Sequence, residues 1–196
     1  RDVLEGLTAP IRKASGLLPA PPEKRALSEY AQAVRRVAEQ HLRYHPREVG
    51  GQNRGPWVRL YMKGNEGVEW AWCAGFVSFC LMQVSASWGA ETPLRFTWNC
   101  DLLAQEAKEE RLFVGYASGG GDRDAYIELV KAREPGLFLL HRAGTDWVHT
   151  GIVTDFHPEY VETIEGNTND EGSREGYEVC RRYRALDKLD FIVLGG

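Results

Sequence analysis

The chain lacks most of the short motifs that announce a site. Its four cysteines, Cys73, Cys80, Cys100 and Cys180, make no CxxC pair, which removes the thioredoxin motif and the zinc ribbon. There is no HExxH helix. His41 and His45 stand four apart near an expected helix end, but without the accompanying acid, and they read as solvent-facing. Gly119 to Gly121 are not followed by the Lys-Ser/Thr of a phosphate loop, so Gly115 to Asp122 reads as a mobile loop and not as a nucleotide site. No metal or other cofactor is expected. Apolar runs are far shorter than a membrane span. No Asn-x-Ser/Thr acceptor for a glycan occurs. A basic excess is also missing: 24 Lys and Arg face 28 Asp and Glu, a net charge of −4, which argues against nucleic acid as a partner. The chain begins at Arg1 without a methionine, so its start says little about export.

What is present suits one globular domain. The 196 residues are 43% hydrophobic and 27% charged, enough for a full core. Residues 1–25 include Leu18-Pro19-Ala20-Pro21-Pro22 and read as an extended arm or linker. Residues 26–196 read as one domain, expected to act as a monomer. Leu27 to Leu42 repeats apolar residues at helical spacing, as does Cys73 to Val84. Asn99 caps a further helix over about Cys100 to Arg111, with Leu102, Leu103 and Ala107 inward. A short helix over Asp124 to Ala132 follows. From Leu137 onward the texture changes to strand-like runs, Leu137–His141, Trp147–Asp155, Tyr160–Glu165, Tyr177–Tyr183 and Phe191–Leu194, separated by turn residues. Helices followed by consecutive strands predict an α+β fold with an antiparallel sheet of about five strands. The Cys73 helix should lay Phe76, Val77, Cys80 and Leu81 on that sheet.

Chemistry enters through Cys73, placed in the first turn of its helix. Unpaired N–H groups there favour a thiolate, the nucleophilic form of the side chain. The bland alternative is a small buried hydrophobe, which is what most cysteines without a disulfide are. Cys80, two turns further and about 10 Å away, is too far for a disulfide and reads as core. Cys100 and Cys180 can pair only if the fold brings them together. A cysteine nucleophile needs a base. His149 lies on a strand where His149, Gly151 and Val153 share a face, with the glycine leaving space beside the imidazole. A hairpin with the next strand brings Glu165 or Asn167 within reach of the ring, where a partner fixes its tautomer. A strand histidine is more often structural, and Glu165-Gly166-Asn167 also reads as a turn. Each bland reading outweighs the functional one when taken alone.

Together the segments carry more. Asn53-Arg54-Gly55-Pro56-Trp57-Val58, Trp72-Cys73-Ala74-Gly75-Phe76-Val77-Ser78, Cys100-Asp101-Leu102-Leu103, Pro135-Gly136, His149-Thr150-Gly151-Ile152-Val153 and Thr163-Ile164-Glu165-Gly166-Asn167-Thr168 resemble the CHAP family. These are papain-like cysteine amidases and endopeptidases, largely of bacterial cell-wall peptidoglycan. The resemblance runs from about residue 30 to the C-terminus. It implies a papain-like catalytic domain, of bacterial or phage type, with Cys73 as nucleophile, His149 as base, Glu165 as orienting acid and Asn167 as a further polar partner. The implied substrate is a peptidoglycan amide, cleaved at the N-acetylmuramoyl-L-alanine bond or within the peptides. The site of action would then be the cell wall, periplasmic or extracellular. Two departures stand out. Leu137 replaces the aspartate that many members carry after Pro-Gly. Lys63-Gly64-Asn65-Glu66-Gly67 is not the Asp-rich calcium loop of some phage lysins, so no calcium is expected. Gln52 and Asn53 are loose candidates for the second oxyanion donor beside the Cys73 N–H. Trp57, Trp70, Trp72 and Trp147 are candidate groove walls, with Trp72 and Trp147 taken as substrate-binding and at least half of the four expected in the core. The rival readings are a papain-like amidase, peptidase or toxin with another substrate, and an idle cell-wall binding module.

Overall fold

The computed structural model describes residues 27–116, 121–169 and 176–194. The expected arm of residues 1–25 lies outside them, as do Gly119 and Gly120 of the glycine loop. Among the described residues the fold is α+β. The helices are α1 (Leu27–Tyr44), α2 (Pro56–Tyr61), α3 (Cys73–Trp88), α4 (Cys100–Glu109) and α5 (Arg123–Ala132). The strands are β1 (Phe113–Val114), β2 (Pro135–Ala143), β3 (Asp146–Phe156), β4 (Tyr160–Thr168), β5 (Glu178–Ala185) and β6 (Leu189–Val193). All six strands form one antiparallel sheet in the order β1-β6-β2-β3-β4-β5. About five strands were expected. The sixth, β1, has two residues and pairs Phe113 with Ile192 and Val114 with Phe191, too short to leave an alternating pattern.

Strand alternation divides the core into two layers. Leu137, Leu139, Ile152, Ile164 and Ile192 face the side that carries α1, α3 and α4. Phe138, Val153, Val161, Phe191 and Val193 face the other side, covered by Tyr126, Ile127 and Val130 of α5. The Tyr126 hydroxyl donates to Leu189 O at 2.7 Å, closing that second layer. On the first side, Arg35 of α1 donates to Val153 O at 3.0 Å and Pro135 O at 3.3 Å.

The Cys73 helix is central rather than one-faced. Every residue from Trp72 to Leu81 is buried, with β3 and β4 on one side and α1 and α2 on the other. A helix buried all round has no polar stripe to show. Its serines are satisfied inside: Ser78 Oγ donates to Thr97 O at 2.8 Å, and Ser85 Oγ lies 2.8 Å from the Tyr30 hydroxyl. Gly166 on β4 lets the sheet meet this helix closely. A Cβ there would sit 2.7 Å from the Trp72 ring and 2.8 Å from Phe76 Cβ.

Two sequence expectations are corrected here. Leu102 of α4 is 55% exposed, because Leu103, Ala104 and Ala107 already supply the inward stripe. His41 is buried, not solvent-facing: its Nδ1 lies 3.0 Å from the Tyr61 hydroxyl and its Nε2 2.7 Å from Gln83 Oε1. Both ring nitrogens have partners, which is what makes burial affordable. Burial keeps this imidazole below its ordinary pKa, against the Gln83 hydrogen bond. His45 stays exposed, paired with Glu178 at 2.8 Å.

Candidate active site

Cys73 is the first residue of α3, after Trp72 at the helix cap. Trp72 fixes this corner. Its ring stacks on Tyr61 with centroids 5.6 Å apart, and its Nε1 donates to Glu48 Oε1 at 2.9 Å. Asn53 braces the preceding loop through Nδ2 to Val68 O at 2.9 Å. That amide is engaged in structure and is not held out as an oxyanion donor. The Cys73 sulfur therefore sits at the positive end of a helix whose first turn holds no acidic side chain.

His149 projects from β3 near enough to the thiol for the charge of each to shift the pKa of the other. Its Nε2 lies 2.8 Å from Glu165 Oε2. A carboxylate accepts there, so Nε2 carries a proton and Nδ1 is the nitrogen left for sulfur. Gly151 makes the arrangement possible, since a Cβ at that position would lie 2.7 Å from Glu165 Cγ. The open space expected beside the imidazole is thus filled by the orienting acid. Asn167 does not take this role. It sits at a β-bulge with φ 55°, buried, and its Oδ1 has no hydrogen-bond partner among the described residues.

Glu165 is fully buried and anchored from four directions. Besides His149, it accepts from Thr163 Oγ1 at 2.6 Å and from Arg184 Nε and Nη2 at 2.8 and 2.6 Å. The Arg184 fork is bidentate, the stronger kind of charged hydrogen bond. Burial alone would raise the carboxyl pKa. Arg184 and His149 overcome it and hold the group at about 2. The imidazole shows the mirror image. Burial opposes its charge, but the Cys73 charge and hydrogen bond, with Glu165 behind, push it up to about 9. Cys73 is held well below an ordinary thiol, first by a hydrogen bond from Cys100 and then, against burial, by the His149 charge, the His149 hydrogen bond and the Thr150 backbone. All three shifts favour a thiolate–imidazolium pair backed by a carboxylate. Cys80, seven residues on, goes the other way: burial raises it, with no opposing partner.

Arg184 escaped the sequence reading because it lies opposite Val161 in the β4–β5 register, not opposite Glu165. Only the paired sheet brings it to the carboxylate. Arg184→Met should leave Glu165 buried with one cation fewer and cost about 3 kcal/mol, the scale for breaking a buried pair. Urea unfolding followed by circular dichroism measures this; a loss under 1 kcal/mol would mean that the fork is idle.

The tryptophans divide differently from expectation. Trp72 is 0% and Trp147 7% exposed, so neither offers a groove wall. Trp147 is held by its ring nitrogen on Asp190 at 2.8 Å, and its backbone N–H donates to Asp101 Oδ1 at 2.8 Å. That second bond pins the start of α4 to β3. Among the described tryptophans the exposed one is Trp98, 44% exposed, edge-on to Trp70 at 5.3 Å and to Phe96 at 5.9 Å. Trp70 shortly precedes Cys73 in the chain and Trp98 shortly precedes Cys100, so this aromatic pair joins the two segments that lead into the thiols.

Asp155, His157 and Glu162, at the β3–β4 hairpin, bring three ligand atoms within 4.8 Å of one another. Glu66, in the loop where calcium-binding lysins differ, accepts from Gly55 N at 2.9 Å and Arg59 at 2.7 Å. No described helix is long and apolar enough to cross a membrane. In comparisons with known proteins, no family model matches the chain, and no curated protein or solved structure matches it either.

Proposed function

We propose that this protein is a papain-like cysteine hydrolase of the CHAP type that cleaves an amide bond in peptidoglycan. The observation that carries the reading is one alignment of groups: a thiol opening a helix, a histidine whose charge bears on it, and a buried carboxylate on a ring nitrogen of that histidine. The Cys73 thiolate attacks the carbonyl carbon, and the C=O electrons move to oxygen as the C–S bond forms. Helix N–H groups at Cys73 lower the energy of that oxyanion. His149 gives its proton to the departing amine nitrogen as the C–N bond breaks. Water then attacks the thioester, His149 takes its proton, and Cys73 leaves as thiolate.

Mass analysis of products from purified muropeptides tests the substrate. Wild-type protein should add one water across a single kind of amide bond, and Cys73→Ala should add none. The net charge of −4 favours a second reading, a papain-like amidase for peptides outside the anionic cell wall. Turnover of synthetic peptide amides with intact muropeptides would select that reading.

The aromatic border supplies a third check. An exposed indole face stacks on flat apolar ligand surfaces at about 0.5–1.5 kcal/mol. Trp98→Ala should therefore raise KM about two- to tenfold while leaving kcat nearly unchanged. Steady-state kinetics on the cleaved muropeptide reads both, and an equal loss in kcat would place Trp98 in the chemistry instead.

A further inference from the structure

Cys100 has no step in the mechanism above, yet its sulfur lies 3.9 Å from that of Cys73. Each cysteine is the first residue of its helix, Cys73 of α3 and Cys100 of α4. Each is buried. The Asp101 bond to the Trp147 backbone holds the α4 start against β3, and Asn99 caps that helix by accepting from Leu102 N at 3.0 Å. The two helix starts are thus fixed on the same corner with the thiols facing each other. A disulfide needs the sulfurs at about 2.05 Å. The gap to be closed is about 2 Å, within reach of side-chain rotation without separating the helices.

We propose that Cys73 and Cys100 form a reversible peroxide-driven disulfide, a modification site that caps the nucleophile and protects it from irreversible oxidation. The chemistry takes two steps. The Cys73 thiolate attacks one oxygen of a hydroperoxide; the O–O bond breaks, sulfur loses two electrons, and the other oxygen leaves as water or alcohol after taking a proton. Cys73 is then a sulfenic acid. Cys100 attacks that sulfur, the S–S bond forms, the S–O bond breaks, and hydroxide leaves with a proton as water. A thiol reductant reverses the second product by exchange. The electrostatics favour this order. Cys73 is the more acidic partner, and its hydrogen bond, then burial, then its charge push the Cys100 thiol up. Oxidation of Cys73 removes that charge, which lowers the cost of ionising Cys100 at its helix N-terminus.

The disulfide is independent of what the enzyme hydrolyses, but its consequence, loss of turnover, rests on the function proposed above. The experiment therefore reads mass first. Reduced wild-type protein is treated with dilute hydrogen peroxide, alkylated, digested and mapped. The expected result is a loss of two hydrogens in the intact mass, a peptide linking Cys73 to Cys100, and full return on adding dithiothreitol. In Cys100→Ser, the same peroxide should leave two or three oxygens on Cys73, beyond rescue by dithiothreitol. A linked peptide from the wild type supports the pair even if the serine variant fails to fold. Over-oxidised Cys73 beside an intact Cys100 thiol overturns it, as does a bond from Cys73 to Cys80 or Cys180, or a protein left unmodified. If the disulfide forms while the reduced protein hydrolyses nothing, the hydrolase reading falls and the thiol pair stands.

Discussion

Cys73→Ala should reduce hydrolysis to the background rate and leave the far-ultraviolet circular dichroism spectrum unchanged. No other described group can replace the sulfur. Cys100 is 3.9 Å from it, but its thiol is held protonated, and His149 is aimed at Cys73. The methyl group that remains fits at a helix start that is held by Trp72 and not by the thiol. Removing the thiolate also removes the chief support for the imidazolium, so His149 should titrate nearer its ordinary range. Cys80→Ala is the control. That sulfur is fully buried in the middle of its helix, and its loss should cost about 1 kcal/mol with turnover intact. Active-site titration with a thiol alkylator gives a second reading: one equivalent should react fast in wild type and in Cys80→Ala, and none in Cys73→Ala. Normal turnover by Cys73→Ala would end the acyl-enzyme mechanism.

The parts of the site that were legible in the sequence are those whose position follows from local pattern. Cys73 opens a run of helical spacing. His149 and Gly151 share a strand face, and Glu165 lies on the next strand of a hairpin, so short-range geometry is enough to bring these together. What the sequence hid depends on long-range packing. Arg184 reaches Glu165 only through the β4–β5 register, and Cys100 reaches Cys73 only because Asp101 ties α4 to β3. Trp72 illustrates another limit. It reads as a candidate groove wall beside Cys73, but whether a ring at a helix cap turns outward depends on what fills the space behind it. Here Tyr61 and Glu48 receive it. The three- and four-residue spacing of Cys73, Phe76, Val77, Cys80, Leu81 and Val84 reads as one apolar face, yet Ser78 and Ser85 outside that spacing are buried as well. Both find partners inside, so polarity in the sequence did not mean solvent in the fold. The fold class itself was legible from element order, helices before strands, with α5 on the opposite face as the unanticipated layer.

Glu165→Gln should slow turnover by about tenfold or more and move the alkaline limb of the pH–rate profile to lower pH. The proposed active pair lies between the lowered Cys73 pKa and the raised His149 pKa of about 9, so wild-type activity should be lost as the imidazolium deprotonates near that upper value. A neutral amide keeps the shape at Nε2 but withdraws the charge facing the ring, and the upper limb should fall by about one unit, equivalent to about 1.4 kcal/mol. The stability signs run in two directions. The His149 pKa is raised on folding, so its contribution is complete below the ordinary value of 6.5 and is lost as pH rises through about 9. Glu165 is depressed, so its contribution is present above the ordinary 4.5 and is lost as pH falls toward about 2. Gln at 165 removes the second dependence altogether: the acid-side decline in Tm between those values should flatten, although the variant starts lower because Arg184 has lost its charged partner. Asn167→Ala separates the two candidates for the orienting role. It should lower Tm modestly, leave the alkaline limb in place, and keep turnover within about threefold, since no bond joins Asn167 Oδ1 to the ring. A neutral Glu165→Gln beside a crippled Asn167→Ala would transfer the role to the amide and detach the carboxylate from the mechanism.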